Sequence, residues 1–136
     1  MKRNIISVVV GLVSAIAVFL ITETINSILH PAPPTLDYKD SVAVRTFYEN
    51  QPLSLWLLVL AGWIIGSALC GYLIKLISKC ENKKLPIIAG SILTLSAIAN
   101  FFSLPHPTWF IIVGLIIFIP STILGYNSYK LKSNDQ

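Results

Sequence analysis

Glu23 is the single charged residue inside any of four long apolar runs, at 5–29, 53–74, 85–104 and 109–126. A carboxyl buried among lipid-facing residues costs a few kcal/mol, about 2.5–3.5 at a helix centre. Such groups therefore face a bundle interior or a water-filled path. In a helix its neighbours at i+3, i+4 and i+7 are Asn26, Ser27 and His30, which makes a polar stripe. Glu23 stands roughly 9 Å below Leu29 at 1.5 Å per residue, near one end rather than at mid-bilayer. A second stripe, Ser96, Asn100, Ser103 and His106, closes the third run. If the stripes face each other, Glu23, Asn26, His30, Asn100 and His106 form one polar intramembrane cluster.

Three kinds of chemistry suit that cluster. Glu23 could hydrogen-bond Asn100 and the serines and so tie two helices together. It could instead carry a proton or a cation in a small transporter. A Glu–His metal site is the weakest of the three, because two histidines and one carboxylate in separate segments lack diagnostic spacing. No nucleophile–base pair, phosphate loop or paired carboxylates occur, so neither an enzyme nor a cofactor is expected.

The elements that would position these residues follow from length and composition. A hydrocarbon core of about 30 Å needs about 20 apolar residues in a helix, and each run supplies them. Hydrophobic residues make up 54% of 136 and charged ones 12%, with mean hydropathy +0.74. A soluble 15.0 kDa domain has too little interior to hide so much apolar surface. The expected fold is an all-α membrane protein: one four-helix transmembrane bundle with helices over about 5–29, 53–77, 85–104 and 109–127.

Orientation follows from the basic residues. Lys2, Arg3, Lys75, Lys79, Lys83, Lys84, Lys130 and Lys132 fall on one side, and only Lys39 and Arg45 on the other. The positive-inside rule then places both termini in the cytoplasm and the 30–52 loop outside. This distribution in short caps also argues against nucleic acid, despite a pI near 9.2. Trp56 and Trp109 are expected at the outer interface, and Tyr126 and Tyr129 at the inner one. The first run outlasts a signal peptide's apolar region, so a retained helix is expected.

Punctuation supports the boundaries. His30-Pro31 stops the first helix, Pro52 precedes the second, Pro86 suits the first turn of the third, and Pro105 ends it. In the outer loop, Asp37 or Asp40 could cap a short helix over 41–50, with Val44, Phe47 and Tyr48 on its apolar side. The step His30-Pro31 is echoed by His106-Pro107, each followed by a helix that begins near a tryptophan. The echo suggests two hairpins related by an axis along the membrane normal.

Small residues mark where helices meet. Gly62 and Gly66 form a GxxxG step that Cys70 extends, and Ser67 with Gly71 makes a neighbouring pair. This face serves a contact within the chain or between copies. The third helix carries Ala89, Gly90, Ser91, Thr94, Ser96 and Ala97. Pro120 removes one backbone bond in the fourth and predicts a kink. Cys70 and Cys80 are not placed to pair.

Four helices with an acidic residue in the first are somewhat similar to the small multidrug resistance transporters, which have shorter loops, a deeper glutamate and weaker charge bias. Three features resemble short uncharacterised bacterial four-helix membrane proteins. They are His30-Pro31, Leu60-Ala61-Gly62-Trp63 with Gly66, and Pro105-His106-Pro107 followed by Trp109-Phe110. That resemblance implies a bacterial inner-membrane location and no established activity. The expected role is a non-catalytic structural or accessory component, and the alternative is a small oligomeric proton-coupled transporter or channel using Glu23. Expected partners are the lipid bilayer and a second copy or another membrane protein.

Overall fold

The computed structural model describes residues 1–130. Among the described residues there are five helices and no strand: α1 (Lys2–Leu29), α2 (Ser41–Glu49), α3 (Leu53–Ser78), α4 (Lys84–Ser103) and α5 (Thr108–Ser128). All but α2 are long and apolar enough to cross a membrane, as a multi-pass protein requires. Helix α1 begins at Lys2 rather than at residue 5, because the Arg3 guanidinium donates to the Ser78 carbonyl that ends α3. Asp40, not Asp37, caps α2, accepting from the amides of Val42 at 2.9 Å and Ala43 at 3.2 Å.

Helix α3 is the centre of the bundle. It packs along α1 on one side and α5 on the other, while α4 lies mainly on α5 and meets α1 and α3 only lightly. A groove is therefore left between α1 and α4. The α1–α3 seam uses small residues from both helices. Gly11 lies against Cys70 and Ile74, Gly66 against Ala15 and Phe19, and Gly62 against Thr22. The GxxxG face thus serves a contact within the chain. The matching stripe on α1, Ser7, Gly11 and Ala15 at four-residue spacing, is buried, and the rest of that helix is largely exposed.

Gly71 faces the other way. A methyl group there would collide with the Thr122 carbonyl, and one at Gly125 would collide with the Ala68 carbonyl. The two relations are reciprocal, so α3 and α5 meet about a local two-fold axis. Without side chains in the way, the backbones approach closely enough for Cα–H···O contacts. Helix α5 continues unbroken through Pro120, and the Thr122 hydroxyl donates to the Phe118 carbonyl at 2.7 Å.

Aromatic rings fill the middle. Trp63 lies 5.1 Å from both Phe110 and Phe118, and Gly114 leaves room for it. Trp56 and Tyr126 stand near the ends of their helices, and both are buried within the bundle. Trp56 turns inward onto Phe110 at 5.0 Å. Tyr126 turns inward because its hydroxyl finds the Cys80 carbonyl at 2.5 Å, which satisfies its polar tip inside the protein. The same end holds Lys75, 4% exposed, 2.5 Å from Glu81 and 4.6 Å over the Tyr126 ring. These contacts strap the α3–α4 connection to the bundle.

Candidate functional site

The polar cluster lies at the end of the bundle that carries α2. Glu23 and Asn26 come from the last two turns of α1, His30 from the residue that ends it, Asn100 from the last turn of α4, and His106 from the Pro105–Pro107 turn. All five border one cavity of about 330 Å³. Its apolar wall includes Tyr38 from the loop, Phe47 and Tyr48 from α2, and Trp56 from α3. Helix α2 therefore lies over the cavity as a lid, joined to α3 by the Tyr48–Trp56 contact at 6.3 Å.

Below it is a second cavity of about 160 Å³, in the groove between α1 and α4. Its walls are mostly apolar: Phe19, Trp63, Leu93, Ala97 and Phe118, with Ser96. Glu23 and Asn100 border both cavities and no other residue does. They mark the level at which a polar chamber meets an apolar one.

The hydrogen bonding around Glu23 is unlike that of an interhelical tie. Thr22, Thr24, Ser27, Ser96 and Ser103 each donate to a carbonyl of their own helix, at 2.8–3.1 Å. Among the described residues no side-chain hydrogen bond joins α1 to α4, and the Glu23 carboxylate has neither a donor nor a basic partner. Arg45 of α2 is engaged by Glu49 at 2.7 Å. Asn26 is 9% exposed, and its Oδ1 is buried without a hydrogen-bond partner. An orphaned acceptor of this kind costs about 1–3 kcal/mol.

The histidines are arranged differently. His106 lies parallel to Phe110 with ring centres 5.4 Å apart, and its Nδ1–H donates to the Leu104 carbonyl at 2.6 Å. Burial holds its pKa below the ordinary value, with the Leu104 bond pulling the other way. The ring is thus neutral at pH 7, and Nε2 is an acceptor. His30 Nε2 lies 3.4 Å from the Ser54 hydroxyl at the rim. Burial, then the charges of Tyr38 and Glu23, raises the Tyr48 phenol above its ordinary value. The cavity therefore offers a carboxyl beside amide, imidazole and phenol groups, and among its lining side chains no fixed cation.

No three His, Cys, Asp or Glu side chains among the described residues converge as a metal site would require. Cys70 and Cys80 are both free thiols. No protein-family model, curated protein or solved structure matches this chain. The polar stripe was readable from residue types alone. Tyr38 and Trp56 were not, because their place on the cavity depends on how the loop folds back and how α3 is rotated.

Proposed function

We propose that this chain is a multi-pass bacterial inner-membrane protein that takes up a small cation or proton at Glu23. It would act as the ligand-binding unit of a small, oligomeric, proton-coupled transporter without a catalytic centre. The observation that carries this reading is a carboxyl with no protein partner, bordering a polar cavity that holds no Lys or Arg. Glu23 is exposed on α1, so an acid with no protein partner is open there to something that comes and goes. The eight-to-two bias of basic residues supports cytoplasmic termini, which would open the Glu23 cavity to the outside. The lightly packed α1–α4 groove leaves one side of the bundle for a second copy.

The test is proton flux in proteoliposomes with an entrapped pH dye, with sodium, potassium and tetramethylammonium presented in turn. Wild-type protein should show a pH change dependent on at least one cation, and Glu23→Gln none. Equal responses from both proteins, or no cation-dependent response from wild type, would contradict transport. A second reading, a non-catalytic structural component of a membrane assembly, draws on the close α3–α5 seam. Under it, Glu23→Gln leaves the protein folded and its assembly unchanged.

A further inference from the structure

Glu23 stands about 9 Å inside the end of α1, so in a bilayer water reaches it along the bundle from the end that carries α2. On one flank of α2, Tyr48 and His106 border both the Glu23 cavity and an outer cleft of about 380 Å³, and no other residue does. The rest of that cleft is Arg45, Glu49, Pro105, Pro107 and Thr108, so it lies between α2 and the turn before α5. On the other flank, Phe47 alone borders both the Glu23 cavity and a cleft of about 440 Å³ beside residues 33–36. Charged and polar groups line much of the first cleft, which suits a cation. Pro33, Leu36, Ala43 and Phe47 make the second more apolar.

The two residues of the first partition are held very differently. His106 lies against Trp56, Phe101 and Phe110 at ring distances of 5.1–5.5 Å, and the Leu104 carbonyl fixes its ring further. Tyr48 has one ring of the bundle against it, Trp56 at 6.3 Å, and its hydroxyl makes no hydrogen bond among the described residues. Helix α2 is as loosely attached: none of its Cα atoms lies within 8 Å of another helix. Its hydrogen bonds and its ion pair all stay within residues 40–51. A side chain so placed turns far faster than a packed bundle rearranges.

We propose that Tyr48 gates the Glu23 cavity: its ring closes the outer cleft against the fixed His106, and its rotation lets a small cation pass from that cleft to Glu23. This rests on reading Glu23 as the acid a cation reaches, and adds the route and the residue that controls it.

The test is the rate at which a membrane-impermeant trimethylammonium methanethiosulfonate modifies Glu23→Cys in intact cells, with Cys70→Ala and Cys80→Ser in the background. Tyr48→Ala should speed modification roughly tenfold, Tyr48→Trp should slow it about as much, and Phe47→Ala should change it less than about twofold. Tyr48→Phe keeps the ring and should leave the rate unchanged. Thr108→Cys, in the outer cleft ahead of the gate, should react equally fast in all these backgrounds. Should Tyr48→Ala fail to fold, Tyr48→Trp carries the comparison. Unchanged rates at position 23 in both Tyr48 variants, or acceleration by Phe47→Ala alone, would overturn the gate. The Glu23 reading would still stand if Glu23→Gln abolished flux. No modification of Glu23→Cys in any folded background would overturn both. Undiminished flux in Glu23→Gln, with access still governed by Tyr48, would overturn transport at Glu23 alone.

Discussion

Glu23 on α1 and Asn100 on α4 border the same two cavities, one polar and one apolar, without hydrogen-bonding each other. Two polar residues on neighbouring membrane helices ordinarily find each other, since hydrocarbon offers no alternative partner. Here the light contact between α1 and α4 keeps them apart, and a space is preserved where a tie could have formed. That separation leaves the polar stripe lining a cavity.

The reciprocal seam between α3 and α5 should be the least tolerant part of the bundle. Gly71→Ala and Gly125→Ala each push a methyl into a backbone carbonyl, which cannot rotate away as a side chain could. Each should destabilise by about 2–3 kcal/mol, as overpacking does. Ile65→Ala on the exposed face of α3 should be near neutral. Unfolding midpoints in detergent check the comparison.

Removing the Tyr126 hydroxyl should loosen the α3–α4 connection. Tyr126→Phe loses the bond to the Cys80 carbonyl but keeps the ring over Lys75, so it should cost about 1 kcal/mol. Amide exchange should rise across residues 79–83 and stay unchanged in α1. Unchanged exchange in that loop would show that the strap holds without the bond.

The two thiols should behave oppositely toward an alkylating reagent. Cys70 is wholly enclosed between α1 and α3 and should stay unmodified in the folded protein. Burial alone would raise Cys80, yet hydrogen bonding around it and the Lys75 ammonium outweigh burial and hold it below the ordinary thiol value. Cys80 should therefore react at a lower pH than a free thiol. Peptide mass mapping against pH distinguishes the two.

Acidification should weaken the α2 end. His106 has a folded pKa below its ordinary 6.5, so the unfolded chain takes up the proton more readily. Its contribution is fully present above about pH 6.5 and lost as pH falls toward the folded value. Glu23, His30 and Tyr48 border the same cavity, and Arg45 and Glu49 face His106 from α2. His106→Asn should flatten the pH dependence of stability just below about pH 6.5. Unfolding midpoints across that range measure it.

Much of this architecture was legible in the residues. The apolar runs located the long helices, Asp37 and Asp40 were the two candidates for the start of α2, and Gly62 and Gly66 marked a close contact. The polar stripes were legible because amides and carboxyls are rare among apolar neighbours. What was not legible was which helix neighbours which. Helices that are apolar almost all round carry little periodicity, so nothing distinguished the α1 face from the α5 face of α3. The stripe of Ser7, Gly11 and Ala15 did carry a spacing signal for its partner. The inward turn of Trp56 and the burial of Lys75 depended on distant partners, His106 and Phe110 for one and Glu81 and Tyr126 for the other.

The most direct test of the central claim, that Glu23 faces a water-reached cavity at the outer end, is cysteine accessibility in intact cells. In a background of Cys70→Ala and Cys80→Ser, Glu23→Cys, Asn100→Cys and the lipid-facing Ile16→Cys would be exposed to a membrane-impermeant cationic methanethiosulfonate. Modification should be rapid at positions 23 and 100 from outside and absent at 16. Position 23 as unreactive as position 16, with the protein folded, would contradict it.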